Sequence, residues 1–371
     1  MKSKTFIILL IIACTLSLFA IFISSRSKPE KKQTALGEQL FYRLPVNEIA
    51  AITIESPDGT VMLEKGKSVW VVKNRFNYPA DFAMIADLIK KIRGIKIGRS
   101  FAASEETISR LALHSPDQPE IPKDHQGTRV VIENRARNIL ADIILGKARE
   151  VAAGTGGHYI KFTKSSKVYL VDSEFKFINT KPSEWLDKDL MDIESENIAQ
   201  ATCFTPMFKK TIYTLKRPAK GQEPVFMQLP QGEKIIKFKL ENVFEALSPL
   251  RIEDIADPSH DSSIAGFDET PCFEYCLFNG TCYKVYPGRS LKNDKDKFYF
   301  KATVSYISAK DLTEKEASSD GEQKESGKES PVQISDDVER INKKLISWTY
   351  VISKWKRESF ITDPEEIFEK E

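Results

Sequence analysis

Residues 46–72 read VNEIAAITIESPDGTVMLEKGKSVWVV, and turn residues cut this stretch into short β-rich runs. Ile52-Thr53-Ile54 gives way to Pro57-Asp58-Gly59, and residues 61–64 follow. Gly66 then marks a second turn before Val69-Trp70-Val71-Val72. Runs of this length broken by Asp-Gly and Lys-Gly predict antiparallel hairpins. Downstream the period changes. Phe82, Ile85, Leu88, Ile89, Ile92 and Ile95 recur at helical spacing and form one apolar stripe. Pro79 suits the first helical position, Asp81 the positively polarised first turn, and Gly94 the end. A second, shorter helix is expected after Ser104, with Glu105 and Glu106 in its first turn and its end near Leu113. Strands resume at 129–133, 139–145, 158–163 and 168–172.

The same grammar then recurs in order. Ile198-Ala199 repeats Ile49-Ala50 at the entry to a β-rich stretch, and Leu215-Lys216-Arg217 before Phe226 repeats Leu63-Glu64-Lys65 before Trp70. Leu240, Val243, Phe244 and Leu247 echo the first helix. Residues 158–163 (HYIKFT) match 298–303 (FYFKAT), each following a glycine read as ending a strand, Gly146 and Gly288. This ordered recurrence predicts an internal duplication. The expected fold is α+β: two related units of antiparallel strands with packed amphipathic helices, at 44–194 and 195–310. Residues 311–336 (DLTEKEASSDGEQKESGKESPVQISD) hold almost no large apolar side chains and read as a disordered linker. A C-terminal strand and helix at 337–371 are expected to dock on the second unit, with Asp363-Pro364-Glu365-Glu366 as a helix start.

Upstream of the first hairpin lie residues 5–24 (TFIILLIIACTLSLFAIFIS), of which thirteen are Ile, Leu or Phe and none is charged. Twenty residues at about 1.5 Å each span about 30 Å, the thickness of a bilayer's hydrocarbon core. The segment is therefore read as one N-terminal transmembrane helix, a signal anchor at 1–24, and the polar stretch 25–43 as a stalk. Ile11-Ile12-Ala13-Cys14 also fits a lipoprotein signal with Cys14 lipidated, and a cleaved signal peptide is the third reading. All three place the bulk of the chain in the periplasm, outside the inner (cytoplasmic) membrane, so the lipid bilayer is the first expected partner.

Charge narrows the function classes. Fifty-five Lys and Arg against 53 Asp and Glu give a net charge of +2, which supplies no electrostatic footprint for nucleic acid. A basic run of Lys90, Lys91, Arg93, Lys96 and Arg99 admits contact with anionic headgroups, although cations belong at a helix C-terminus in any case. Outside Cys14 the cysteines are Cys203, Cys272, Cys276 and Cys282. A two-residue turn at Asn279-Gly280 would set Cys276 and Cys282 on opposite faces, whereas a three-residue loop would set them opposite one another. A 276–282 disulfide, another pairing and reduced thiols all remain open. No Cys-x-x-Cys or spaced histidine pair suggests zinc, and His114, His125, His158 and His260 are scattered. The Asp254, Asp257, His260 and Asp261 group reads as a solvated turn. Gly154-Thr155-Gly156-Gly157 precedes a strand rather than a helix, so it reads as a hairpin loop and not a phosphate loop. No catalytic residue, metal or cofactor is expected.

Val46 and Ile49 with the Ile-Thr-Ile run, Leu63 before Trp70, the helix opening at Pro79, Gly146, Tyr159 and Trp185-Leu186-Asp187 together resemble the bacterial domain-of-unknown-function 4340 family. The resemblance covers most of 44–194 and, more loosely, 195–310 and the C-terminal strand and helix. Phe226, where a tryptophan is usual, and the cysteine-bearing hairpin at 272–282 depart from it. It implies a single-anchor extracytoplasmic protein of a kind often encoded beside ABC-type transporters of the gliding-motility class. The function expected is thus a non-catalytic accessory or scaffold protein, with a transporter permease or a related envelope protein as partner. A module binding envelope polysaccharide is the alternative, and an envelope hydrolase the third.

Overall fold

The alternation in the opening stretch becomes three strands, β1 (Ile49–Ser56), β2 (Gly59–Lys65) and β3 (Trp70–Val72). The computed structural model describes residues 36–149, 156–175, 178–259, 262–307 and 331–369. Residues 5–24 and Cys14 lie outside these. Among the described residues no helix is long and apolar enough to cross a membrane.

β4 (Tyr78–Pro79), β5 (Ile97–Ala102), β6 (Thr128–Asn134), β7 (Ile139–Arg149), β8 (Gly157–Phe162) and β9 (Lys167–Val171) complete a nine-stranded sheet. Its order is β4-β3-β2-β1-β6-β7-β8-β9-β5. A second, eight-stranded sheet holds β11 (Ile198–Thr205), β12 (Lys210–Lys216), β13 (Val225–Phe226), β15 (Asp254–Ile255), β16 (Cys272–Leu277), β17 (Thr281–Ser290), β18 (Lys297–Tyr306) and β19 (Tyr350–Ser353). Its order is β13-β12-β11-β16-β17-β18-β19-β15. β10 (Asp189–Met191) pairs separately with β14 (Leu250–Arg251). Helices α1 (Phe82–Gly94), α2 (Glu105–Arg110), α3 (Lys237–Glu245), α4 (Pro331–Ile346) and α5 (Lys354–Glu358) complete the framework. The protein is thus α+β in character and rich in antiparallel sheet.

With β4 set aside, the two sheets follow one order, each strand of the second standing ten numbers after its counterpart in the first. Their irregularities also coincide. β1 slips register against β6 just after Ile49, and β11 slips against β16 just after Ile198.

Two compact units emerge, one holding residues up to Thr60 with Ile85–Thr180, the other Val61–Met84 with Lys181 onward. Ile52, Ile54, Ile85, Leu88, Ile92, Val130, Ile132, Ile143 and Ile160 are fully buried in the first. Trp185, Val243, Phe244, Phe273, Tyr275, Phe300 and Phe360 fill the second. A buried side chain of this size stabilises by about 1.5–3 kcal/mol, which explains why apolar spacing decides the layout.

Several expectations from sequence change in the structure. Pro79 pairs with Val71 in a strand instead of opening the helix. The helix start is held by Asp81, whose Oδ1 accepts from the backbone N–H of Ala83 and Met84. Gly146 and Gly288 stand inside β7 and β17 rather than at their ends, each at a register shift. A Cβ at Gly146 would lie 2.3 Å from the Leu111 carbonyl oxygen, and one at Gly288 would lie 2.5 Å from that of Ala265, so neither site can hold a side chain. The stretch read as a linker contains a helix from Pro331. Proline suits a first helical turn, and Val338, Ile341 and Leu345 further along recur at helical spacing, with Val338 and Leu345 buried. Residues 311–330 lie outside the described residues.

A turn of 278–280 between β16 and β17, with Gly280 at φ +87°, sets Cys276 opposite Cys282, and the two form a disulfide. This is the three-residue loop of the alternatives weighed above. Cys203 and Cys272 are buried thiols, and burial pushes both up to about 12.

Gly146→Ala should destabilise the protein by more than about 1 kcal/mol, since the clash is with backbone. Gly94→Ala, with nothing within 4 Å of the added Cβ, should be neutral or stabilise by up to about 1 kcal/mol. Urea midpoints of the two variants decide it, and equal midpoints would contradict the close approach.

Across the β6–β7 hairpin, Arg129 clamps Asp142 through Nε–Oδ1 at 2.9 Å and Nη2–Oδ2 at 3.0 Å, and Thr163 Oγ1 donates to the same carboxylate at 2.6 Å. Burial would raise the Asp142 carboxyl, but the hydrogen bonds from Arg129 and Thr163, with the charge of Arg129, outweigh it and hold it below its usual range. A depressed folded-state value contributes stability that is present above about pH 4 and lost as pH falls through the folded value. Unfolding free energy of the natural protein should therefore fall more steeply below about pH 4 than that of Asp142→Asn. Parallel acid limbs in the two titrations would exclude this pair as a contributor.

Candidate functional site

Three of the segments that carried the family resemblance, Trp70, the stretch at Pro79 and Trp185-Leu186-Asp187, come together around one cleft in the second unit. β3 and β4 form one wall, because Val71 pairs with Pro79 and the Ala80 N–H donates to the Trp70 carbonyl at 2.8 Å. Trp185-Leu186-Asp187 runs alongside. Ala80 bridges Leu186 in antiparallel fashion, the Asp81 N–H donates to the Trp185 carbonyl at 2.9 Å, and the Asp187 N–H donates to the Pro79 carbonyl at 3.0 Å. Trp185 is fully buried, and Trp70 is only 7% exposed. Tyr78 anchors the wall from behind, edge-on to Trp348 at 5.2 Å, and burial pushes its phenol far up.

The cleft so formed has a volume of about 600 Å³. Its polar lining alternates in sign: Asp81, Asp187 and Asp189 against Lys65, Lys188 and Arg251. Most of these groups have assigned partners. Asp81 caps α1, Asp189 pairs with Arg251 at 2.9 Å, Lys188 with Glu184 at 3.2 Å, and Asp187 with Lys344 at 3.8 Å. Two large apolar side chains stand out at its rim. Val69 is 51% and Phe82 64% exposed, although Phe82 belongs by spacing to the stripe whose other members are buried. It occupies the first turn of α1, where its exposure could not be told from periodicity.

Among the described residues no group of His, Cys, Asp and Glu could hold a metal ion. Of the histidines, His114 and His125 meet only through backbone, the His114 N–H donating to the His125 carbonyl at 3.2 Å. His158 Nε2 contacts the Gly146 carbonyl at 2.7 Å and His114 Nε2 contacts Ser109 Oγ at 2.9 Å, both as structural ties. His260, Asp261, Gly154 and Thr155 lie outside the described residues. The basic run is divided between α1 and β5, so Lys90, Lys91 and Arg93 belong to one element and Arg99 to another.

The sheets and the mixed-charge cleft define a sheet-rich α+β protein with a lined recess on its second unit. A family model described as "Domain of unknown function (DUF4340)" matches residues 70–270, more than half of the chain. The chain belongs to that family. The match opens at Trp70, so Val46, Ile49 and Leu63 fall before it, and it continues into the second sheet. No curated protein and no solved structure matches the chain.

Because exposed ion pairs contribute only about 0–1 kcal/mol, the cleft charges can be removed with little loss of fold. Asp189→Ala should shift unfolding free energy by less than about 1 kcal/mol, whereas Asp81→Ala, which removes a helix cap, should cost about 0.5–2 kcal/mol. Denaturant titration checks the order, and a larger loss at Asp189 would contradict these assignments.

Proposed function

We propose that this chain is a non-catalytic accessory protein that uses the cleft between β3–β4 and the 185–189 segment to hold a partner protein. The observation that carries the reading is the pair of exposed apolar residues, Val69 and Phe82, set beside charges most of which are already engaged. Apolar anchors ringed by polar groups are what binding hot spots need. Charges committed to capping and pairing are poor acids, bases or nucleophiles, which weighs against an envelope hydrolase. Trp70 is too buried to offer its ring to a sugar, which weighs against polysaccharide as the ligand.

Residues 5–24 would tether this unit to the inner membrane, with the bulk of the chain periplasmic. The Cys276–Cys282 bridge supports that side, because disulfides persist in oxidising compartments. The partner class follows from the resemblance: a permease or related subunit of an ABC-type transporter. The shared strand order and the matched register shifts support the origin of both sheets by duplication.

The tagged full-length protein purified in mild detergent from its own membranes should bring down transporter subunits. Val69→Asp with Phe82→Asp should lose them at least tenfold while the thermal midpoint stays within a few degrees. Retention of the partner by the double variant would move the binding surface elsewhere, and no transporter subunit in any eluate would sink the accessory role. A phosphatase reporter fused at the C-terminus should be active, and a cytosolic position would remove the membrane placement.

A further inference from the structure

A second cleft, on the first unit, has no part in that reading. Strand register builds it. Arg99 of β5 pairs with Leu170 of β9, and Leu170 pairs with Tyr159 of β8, so these three side chains share one face of the sheet. Phe101, two residues beyond Arg99, is on that face also. Arg149 of β7 pairs with Gly157, two residues before Tyr159, and joins them. It does so only because of the bulge at Gly146. Regular alternation from Ile144, which pairs with Lys161 on the same face, would turn Arg149 to the other side; the extra residue restores it.

Helix α2 covers the neighbouring part of this face. Ile108 packs with Leu113, Ile144 and Val168, and Phe101 and Tyr159 lie against them. Its last residue, Arg110, is thereby brought to the cleft. The result is a recess of about 600 Å³ lined by Arg99, Arg110 and Arg149, by the rings of Phe101 and Tyr159, and by Asp172. Asp172 is already engaged, accepting from the Lys96 N–H at 3.0 Å and from Ser173 Oγ at 3.1 Å. Among the described residues none of the three arginines has a carboxylate partner.

Three guanidinium groups outnumber the carboxylates beside them, Asp172 in the lining and Glu174 against Gly156, and a multiply charged anion offsets the excess positive charge. Guanidinium forks match phosphate oxygens two at a time. The rings beside them suit the flat face of a sugar or base. The second sheet offers no such set: Ser290 pairs with Phe298 as Ala148 pairs with His158, and the next residue is Leu291 where the first sheet has Arg149. The feature therefore belongs to the first unit and not to the shared framework.

We propose that this cleft is a binding site for a phosphate-bearing ligand, of the pyrophosphate or sugar-phosphate class, held by Arg99, Arg110 and Arg149. The same chemistry occurs in soluble sugar phosphates and in phosphorylated lipid headgroups.

Calorimetric titration of the full-length protein in neutral detergent with inorganic pyrophosphate, at low salt, tests it. Saturable binding is expected, weakened by added salt. Arg99→Ala, Arg110→Ala and Arg149→Ala should each lower affinity about tenfold with unchanged circular dichroism. Lys90→Ala with Lys91→Ala, on α1, should leave it unaltered. Titration with glucose 1-phosphate and with vesicles containing phosphatidic acid separates the sources: tighter binding to the first assigns a soluble ligand, and tighter binding to the second a headgroup. Absence of saturable pyrophosphate binding, or binding that survives all three arginine substitutions, overturns the proposal.

Discussion

The Leu111 carbonyl presses against β7 at Gly146, and much of the first unit is arranged around that contact. The carbonyl accepts from the Lys147 N–H at 2.9 Å, and the space it occupies is the space a side chain at 146 would need. A strand approached this closely cannot keep its ladder intact, so β7 takes up an extra residue before pairing again at Ala148. One backbone contact thus fixes where α2 ends over the sheet and which way the last residues of β7 face. The second sheet repeats the device at Gly288 beneath Ala265. The surroundings differ in chemistry, but the mechanical solution is the same.

Sequence made the framework legible where physics is local. Ile52-Thr53-Ile54 and Val69-Trp70-Val71-Val72 alternate on a period that only a strand satisfies, and Ile85, Leu88, Ile89 and Ile92 on one that only a helix satisfies. Ser104 and Asp363 could be read as caps because their side chains serve adjacent backbone; both accept such bonds, from Thr107 and Glu365. Pro79 misled because its restricted φ suits a first helical turn and an edge bridge alike. β5 was not foreseen, since Gly98, Arg99 and Ser100 break its apolar pattern and its pairing with β9 spans some seventy residues.

The recesses were hidden for a related reason. Val69 and Phe82, or Arg99, Arg110 and Arg149, are far apart in the chain and carry no motif. Their association depends on register, and a single residue's slip reverses a side chain's direction. Gly146 attracted notice as a punctuation mark, and its part in the fold is to set that direction. The Cys276–Cys282 pair lay between these extremes, because the answer turned on one residue of loop length that Gly280, with its positive φ, decides.

β19 carries a different implication. It enters the second sheet from the far end of the chain, pairing with β18 across more than forty residues and with β15 across nearly a hundred. Closing loops of that length is slow relative to forming the neighbouring hairpins. The sheet must therefore wait for Tyr350–Ser353 to be made before its last seam is sewn. Until then β18 and β15 present bare peptide groups to whatever passes, and the nascent chain is most vulnerable to mispairing while that strand is still to come.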